Sequence, residues 1–104
     1  MKGRSHDEAM AEIFRNDPEY ARALLNDILE NPGDPGELLI VLRQMAEAVG
    51  GVRQVAKSAQ LNPNQLYRTL SRTGNPGVRS LSAILRAMGL RLAIAPLPDA
   101  QATH

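Results

Sequence analysis

The chain has 104 residues, 43% of them hydrophobic and only 3% aromatic, so its length and composition predict one compact domain with an aliphatic core. It has no cysteine, and its two histidines, His6 and His104, stand towards the chain ends, which excludes disulfides and argues against a thiolate or histidine metal site. The net charge of +1 hides an asymmetry, because residues 1–47 carry ten acids and five bases whereas residues 48–104 carry one acid, Asp99, and seven bases.

The first half of the chain contains three stretches of helical periodicity. Apolar residues predict a first short helix over residues 8–15. Two longer helices open at Asp17-Pro18 and Asp34-Pro35, because a capping acid followed by proline is a common helix start. The segment NPGDPG, residues 31–36, separates these two helices, and Gly50-Gly51 ends the third.

Shorter helices follow in the second half. One is predicted over residues 52–59, and after a tight turn Asn62-Pro63 opens the next. A loop covers residues 72–77, and Ser80 is expected to cap a last helix that Gly89 ends.

The apolar pattern then changes period. Residues 90–95 alternate between large apolar side chains and arginine or alanine, which predicts a short strand. A single strand leaves its N–H and C=O groups unpaired, so we expect it to pair with its own copy in a symmetric homodimer. The residues of this predicted dimer seam are Leu90, Leu92 and Ile94.

Residues 52–70, VRQVAKSAQLNPNQLYRTL, have the organisation of a helix-turn-helix, whose second helix enters the major groove of DNA while the first crosses the phosphate backbone. Residues 48–98 contain no carboxylate, which favours a surface that lies against phosphates. If Leu66 and Leu70 face the core, the outward side chains that suit base recognition are Asn64, Gln65 and Arg68. Gln65 has an equally good alternative role, because it follows Asn62 by three residues and can complete a capping box.

Polar side chains around these two helices are candidates for phosphate contacts, which position a protein without reading sequence. The backbone N–H groups near Gly51 and Val52 offer a further phosphate site at a helix N-terminus. Tyr67 either donates its hydroxyl to a phosphate or covers the edge of the core with its ring. The candidate phosphate contacts are Arg53, Gln54, Lys57, Tyr67, Arg72, Thr73 and Asn75.

A set of short motifs extends over about residues 17–95. They are Asp17-Pro18-Glu19, Gly33-Asp34-Pro35, Leu42-Arg43, Gly50-Gly51, Leu66-Tyr67-Arg68, Gly74-Asn75-Pro76 and the run from Ala87 to Leu92. Together they resemble the Cro and phage-repressor class of helix-turn-helix domains, also called XRE, and more narrowly the addiction-module antidote proteins, the HigA-like antitoxins. The resemblance implies the antitoxin of a type II toxin–antitoxin module, which neutralises a toxin protein and represses its own operon. The family's reading-helix positions fall on Asn64, Gln65 and Arg68.

The expected fold is all-α, with a small XRE or lambda-repressor-like helix-turn-helix domain over residues 35–96, an N-terminal helical arm over residues 1–34, a short C-terminal strand and a flexible tail over residues 97–104. The expected partners are a double-stranded DNA operator, a cognate toxin and a second copy of the chain. No catalytic, cofactor or metal site and no membrane segment are expected, and the predicted location is the cytoplasm.

The surface for the toxin is less defined. The acidic, apolar segment over residues 8–30 is the candidate, unless its apolar side chains only pack on the domain. Two other functions remain open: a stand-alone XRE-family regulator, and a protein-interaction module that has lost DNA binding.

Overall fold

The computed structural model describes residues 5–31 and 33–97. These residues form six helices and no strand, which confirms the all-α class. Of the tail predicted over residues 97–104, only Leu97 lies within the described residues. The helices are α1 (His6–Asn16), α2 (Pro18–Glu30), α3 (Pro35–Ala48), α4 (Val52–Ala59), α5 (Pro63–Thr69) and α6 (Val78–Ala87).

Local capping signals place most of the helix starts. The side chains of Asp17, Asp34 and Asn62 each accept a hydrogen bond from a backbone N–H in the first turn of the helix that follows. A proline stands at the start of each of these three helices, so all three predicted starts are confirmed. Helix α1 begins at His6, earlier than predicted, because Ser5 and Glu8 form a capping box.

The start of α6 differs from the prediction. Ser80 lies inside the helix, and Gly77 is the N-cap residue, with an extended backbone (φ −73°, ψ 173°) and no side chain to accept a hydrogen bond. The helix therefore begins at Val78, directly after the extended Gly77, and its first N–H groups have no side-chain cap.

One hydrophobic core joins all six helices. Helix α3 lies at its centre, with Leu42 and Ala46 almost fully buried, and packs most extensively on α1. Helices α1 and α2 supply side chains to the same core as the later helices. The buried side chains that they contribute are Phe14, Ala21, Leu25 and Ile28.

A polar cluster ties α1 to the centre of the fold. Asp7 on α1 forms a 2.6 Å ion pair with Arg43 on α3 and accepts a 3.0 Å hydrogen bond from the buried Gln44 amide. The Arg43 guanidinium also donates to the carbonyl of Leu70, at the end of α5, over 3.3 Å. Through these contacts α1 is linked to the C-terminal end of α5.

We expect Asp7→Asn to lower the free energy of unfolding by about 1–3 kcal/mol, because it leaves the partly buried Arg43 guanidinium without its counter-charge. Urea denaturation followed by circular dichroism measures this loss. Glu19→Gln is the matched control: it removes the 3.7 Å pair of Arg22 with Glu19, whose side chain is 88% exposed, and we expect less than about 0.5 kcal/mol. Equal losses in the two variants would contradict a stabilising role of the Asp7 cluster.

The single chain forms no strand over residues 90–95, and the predicted pairing of this segment with a second copy stays a prediction. Residues 91–97 are exposed and make no backbone–backbone hydrogen bond within the described chain. A strand needs a neighbour that exchanges hydrogen bonds with it, and the described residues supply no second strand. Leu90 instead packs on the edge of the core and donates its N–H to the Leu85 carbonyl over 2.8 Å, while Leu92 and Ile94 are exposed.

Candidate nucleic-acid interface

The turn between α4 and α5 has the geometry of a helix-turn-helix. Gln60 adopts a left-handed backbone (φ 61°) that ends α4, and the Leu61 N–H donates to the Ala56 carbonyl over 2.8 Å. Ala56 is completely buried, so that the helices approach closely, and the buried Leu66 and Leu70 anchor α5 on the core. These are the packing positions predicted from the sequence.

The side chains predicted to read bases lie on the outer face of α5. Asn64, Gln65 and Arg68 are exposed, as expected once Leu66 and Leu70 face the core. None of the three side chains makes a hydrogen bond or ion pair with the described part of the chain, so their donors and acceptors are open to a ligand. Contact with bases itself stays a prediction.

The structure separates the two roles considered for Gln65. The Asn62 side chain caps α5 by accepting a hydrogen bond from the backbone N–H of Gln65 over 3.1 Å. The reciprocal bond of a capping box, from the Asn62 backbone to the Gln65 side chain, is not formed within the described chain. The amide of Gln65 is therefore not used by the cap.

Helix α4 presents a second polar face. Arg53, Gln54 and Lys57 are exposed along it, and none of them has a partner among the described residues. Gly51 is the N-cap residue of α4 and supplies no side-chain cap, which leaves the first N–H groups of the helix without a side-chain acceptor.

Glu47, which directly precedes the acid-free residues 48–98, lies close to the start of α4. The Glu47 carboxylate oxygen is 3.9 Å from the position that a Cβ on Gly51 would take. A negative charge there opposes phosphate binding at the N-terminus of α4. No sequence pattern indicated this proximity, because it depends on the path of the chain through Gly50 and Gly51, both with positive φ.

The loop after α5 divides the remaining candidates. Thr73 and Asn75 are exposed, whereas the Arg72 guanidinium forms a 2.7 Å ion pair with Asp34 at the start of α3. Gly36 permits this contact, since a Cβ on it would lie 2.6 Å from the Arg72 carbonyl oxygen. Arg72 is thus held against α3, a role that its position in a loop did not indicate.

The exposure of Tyr67 leaves both of its predicted roles open. Its side chain is exposed at 43%, so the ring covers the core edge only in part. The hydroxyl has no partner within residues 5–31 and 33–97, and it is therefore available to a phosphate.

The cations of the second half do not all surround the helix-turn-helix. Arg53, Lys57 and Arg68 lie on α4 and α5, and Arg79 lies in the first turn of α6. Arg86 and Arg91 line a separate groove beside α2. The cations of the acid-free residues 48–98 are therefore divided between two surfaces, the helix-turn-helix and the groove beside α2.

The fold and the α4–α5 pair define the class of protein: a small all-α chain built around a helix-turn-helix. The chain belongs to the probable addiction module antidote protein family, whose model matches residues 7–96. This match confirms the resemblance to antidote proteins and implies a cognate toxin partner. No curated protein and no solved structure matches the chain.

The described residues also bear on two other kinds of site. None of the helices there has the length and apolarity required to span a bilayer. The same residues bring together no group of three or more histidine, cysteine or acidic side chains that would hold a metal ion.

Proposed function

We propose that this protein is the antitoxin of a type II toxin–antitoxin module, which represses its own operon by binding a DNA operator as a homodimer and neutralises a cognate toxin. The proposal is carried by one observation: α5 is anchored by buried leucines and displays Asn64, Gln65 and Arg68 outward without partners among the described residues. Membership of the antidote family supports the toxin partner.

In the proposed complex, α5 lies in the major groove. Arg68 forks onto O6 and N7 of a guanine, and Asn64 or Gln65 pairs with N6 and N7 of an adenine. Helix α4 crosses the phosphate backbone, as the first helix of this motif does. This arrangement uses side chains that the fold leaves unpaired, so docking breaks no described hydrogen bond of Asn64, Gln65 or Arg68.

The backbone contacts are proposed for Arg53, Gln54, Lys57, Tyr67, Thr73 and Asn75. Arg72 joins them only by sharing its guanidinium with Asp34, since their ion pair is exposed. Because Glu47 lies near the start of α4, the cations Arg53 and Lys57 carry more of the phosphate binding than the helix N-terminus does.

The first experiment measures binding of the full chain to the duplex upstream of its gene by fluorescence anisotropy over a range of salt concentrations. Two protomers that each neutralise about three phosphates are expected to lose about a thousandfold in affinity between about 50 and about 200 mM salt. A scrambled duplex of equal length is the control for sequence-specific binding. Absence of binding to the upstream duplex at low salt would falsify the repressor half of the proposal.

The toxin surface is proposed on the outer side of α1 and α2. Leu25 and Ile28 are buried in the core, so they are not available to a partner, whereas Ile13 and Tyr20 are exposed. The same two helices also carry exposed acids, which suits a basic partner. These acids are Glu8, Glu12, Glu19, Asp27 and Glu30.

Co-purification with the protein encoded beside this gene tests the toxin half separately. We expect Ile13→Asp to abolish co-purification while leaving DNA binding unchanged, because Ile13 is exposed on α1 and remote in sequence from α4 and α5. A wild-type chain that binds its operator yet captures no neighbour-encoded protein would instead favour the stand-alone regulator.

A further inference from the structure

A groove of about 650 Å³ runs between α2 and the segment that follows α6. Its lining is apolar where Leu25, Leu29, Leu90 and Leu92 meet. Leu29 is 52% exposed, so this apolar wall is open to solvent in the single chain. The groove belongs neither to the α4–α5 face nor to the exposed acids of α1.

The charge around the groove is positive. Arg22, Arg86 and Arg91 line it, and no carboxylate is among its described lining residues. Arg22 has a weak, exposed contact with Glu19 at 3.7 Å, whereas Arg86 and Arg91 have no ion pair in the described chain. A basic partner would be repelled here, and the apolar walls do not suit DNA phosphates, so the fitting occupant is an apolar segment that carries an acid.

The chain itself contains such a segment. Ile94 is fully exposed and Leu97 is 62% exposed, in a stretch whose backbone makes no backbone–backbone hydrogen bond within the described residues. Asp99, two residues further along, is the only acid after Glu47. Ala93 and Ala95 line the groove of their own chain, so Ile94 between them faces away from that groove.

We infer that each groove binds the C-terminal segment of a second copy, with Ile94 and Leu97 on its apolar wall; Asp99, two residues further along the sequence, has the charge opposite to that of the groove's arginines. The exchange is reciprocal, as the two-fold symmetry of a homodimer requires. This inference rests on the proposed function only in naming the surface of the homodimer. It places Ile94 of the predicted dimer seam in the groove beside α2 and α6 of the second copy, in place of strand pairing.

The absence of native cysteine permits a direct test by disulfide formation between copies. Leu29→Cys and Ile94→Cys proteins are mixed without DNA under a mild oxidant, and we expect the mixed dimer, which links position 29 of one variant to position 94 of the other, as the dominant product. Ala23→Cys, exposed on α2 but off the groove, replaces Leu29→Cys in the control mixture and is expected to give little mixed dimer with Ile94→Cys. If the first mixture instead gives mainly the Ile94→Cys variant linked to itself, the inference is overturned.

Sedimentation equilibrium measures how much the same contact contributes to the dimerisation affinity. Leu29→Asp and Ile94→Asp are each expected to weaken self-association by about tenfold or more, since each replaces a buried apolar contact by a charge. Asp99→Asn is expected to weaken self-association by about threefold. Unchanged self-association in both aspartate variants, or a wild-type chain that stays monomeric, overturns the groove contact. Loss of dimer with retained binding of a single operator half-site leaves the α5 proposal standing.

Discussion

Gly74→Ala is expected to lower the free energy of unfolding by about 1–3 kcal/mol, the usual cost of overpacking a closely packed site. A Cβ on Gly74 would overlap the carbonyl oxygen of Thr69, the last residue of α5. The obstacle is backbone, which cannot rotate away as a flexible side chain can. The loop after α5 must therefore move as a unit before an alanine fits.

Thermal and urea denaturation of Gly74→Ala measure this cost, and Gly77→Ala in the same loop is the matched control. A Cβ on Gly77 meets no atom within 4 Å, and its φ of −73° suits any residue. We therefore expect Gly77→Ala to change the free energy of unfolding by less than about 1 kcal/mol, because the lower unfolded-chain entropy of alanine is offset by its poorer N-cap preference. If both variants lose the same stability, the close approach to Thr69 is not what requires glycine at position 74.

The Gly74→Ala substitution is also expected to affect the proposed DNA-binding face. Gly74 is hydrogen-bonded through its N–H to the Ser71 carbonyl over 2.9 Å, in the loop that also carries Thr73 and Asn75. A shift of this loop displaces these candidate phosphate contacts and disturbs the Arg72–Asp34 ion pair. Gly74 of the Gly-Asn-Pro motif thus has a steric reason in the fold, independent of any ligand.

Sequence predicted the features whose causes are local. Asp17, Asp34 and Asn62 start their helices because a capping side chain and a following proline act within one turn of the chain. Leu66 and Leu70 anchor α5 because helical spacing brings them to one face. Local spacing therefore sufficed to predict both the helix-turn-helix and the exposure of Asn64 and Arg68.

Features that depend on the path of the whole chain could not be predicted from the sequence. The Asp7–Arg43 pair joins residues 36 positions apart, and the Arg72–Asp34 pair joins residues 38 positions apart, so no periodicity connects their members. The strand predicted over residues 90–95 does not form in the single chain for a related reason: alternation sets which faces a segment would show, but only a neighbouring strand supplies its hydrogen bonds. Alternation at Leu92 and Ile94 instead marks exposed apolar side chains.

Arg68→Ala is expected to reduce affinity for the operator by about 1–3 kcal/mol while changing affinity for a scrambled duplex far less. Lys57→Ala, on the outer face of α4, is expected to weaken both duplexes alike and to reduce the salt slope by about one. Anisotropy titrations on the two duplexes at matched salt measure both effects. Parallel losses on operator and scrambled DNA for Arg68→Ala would place Arg68 on the phosphate backbone.

Arg68→Lys provides the sharper comparison, because it keeps the positive charge and removes only the planar fork of donors that matches a guanine edge. If Arg68 reads a base, this substitution loses most of the operator preference and keeps the binding to scrambled DNA. If Arg68 only neutralises a phosphate, lysine serves as well and both affinities stay near those of the native chain. Because Arg68 is exposed and has no described intramolecular partner, we expect both substitutions to leave the folding stability close to that of the native chain, so either result reports on DNA contact.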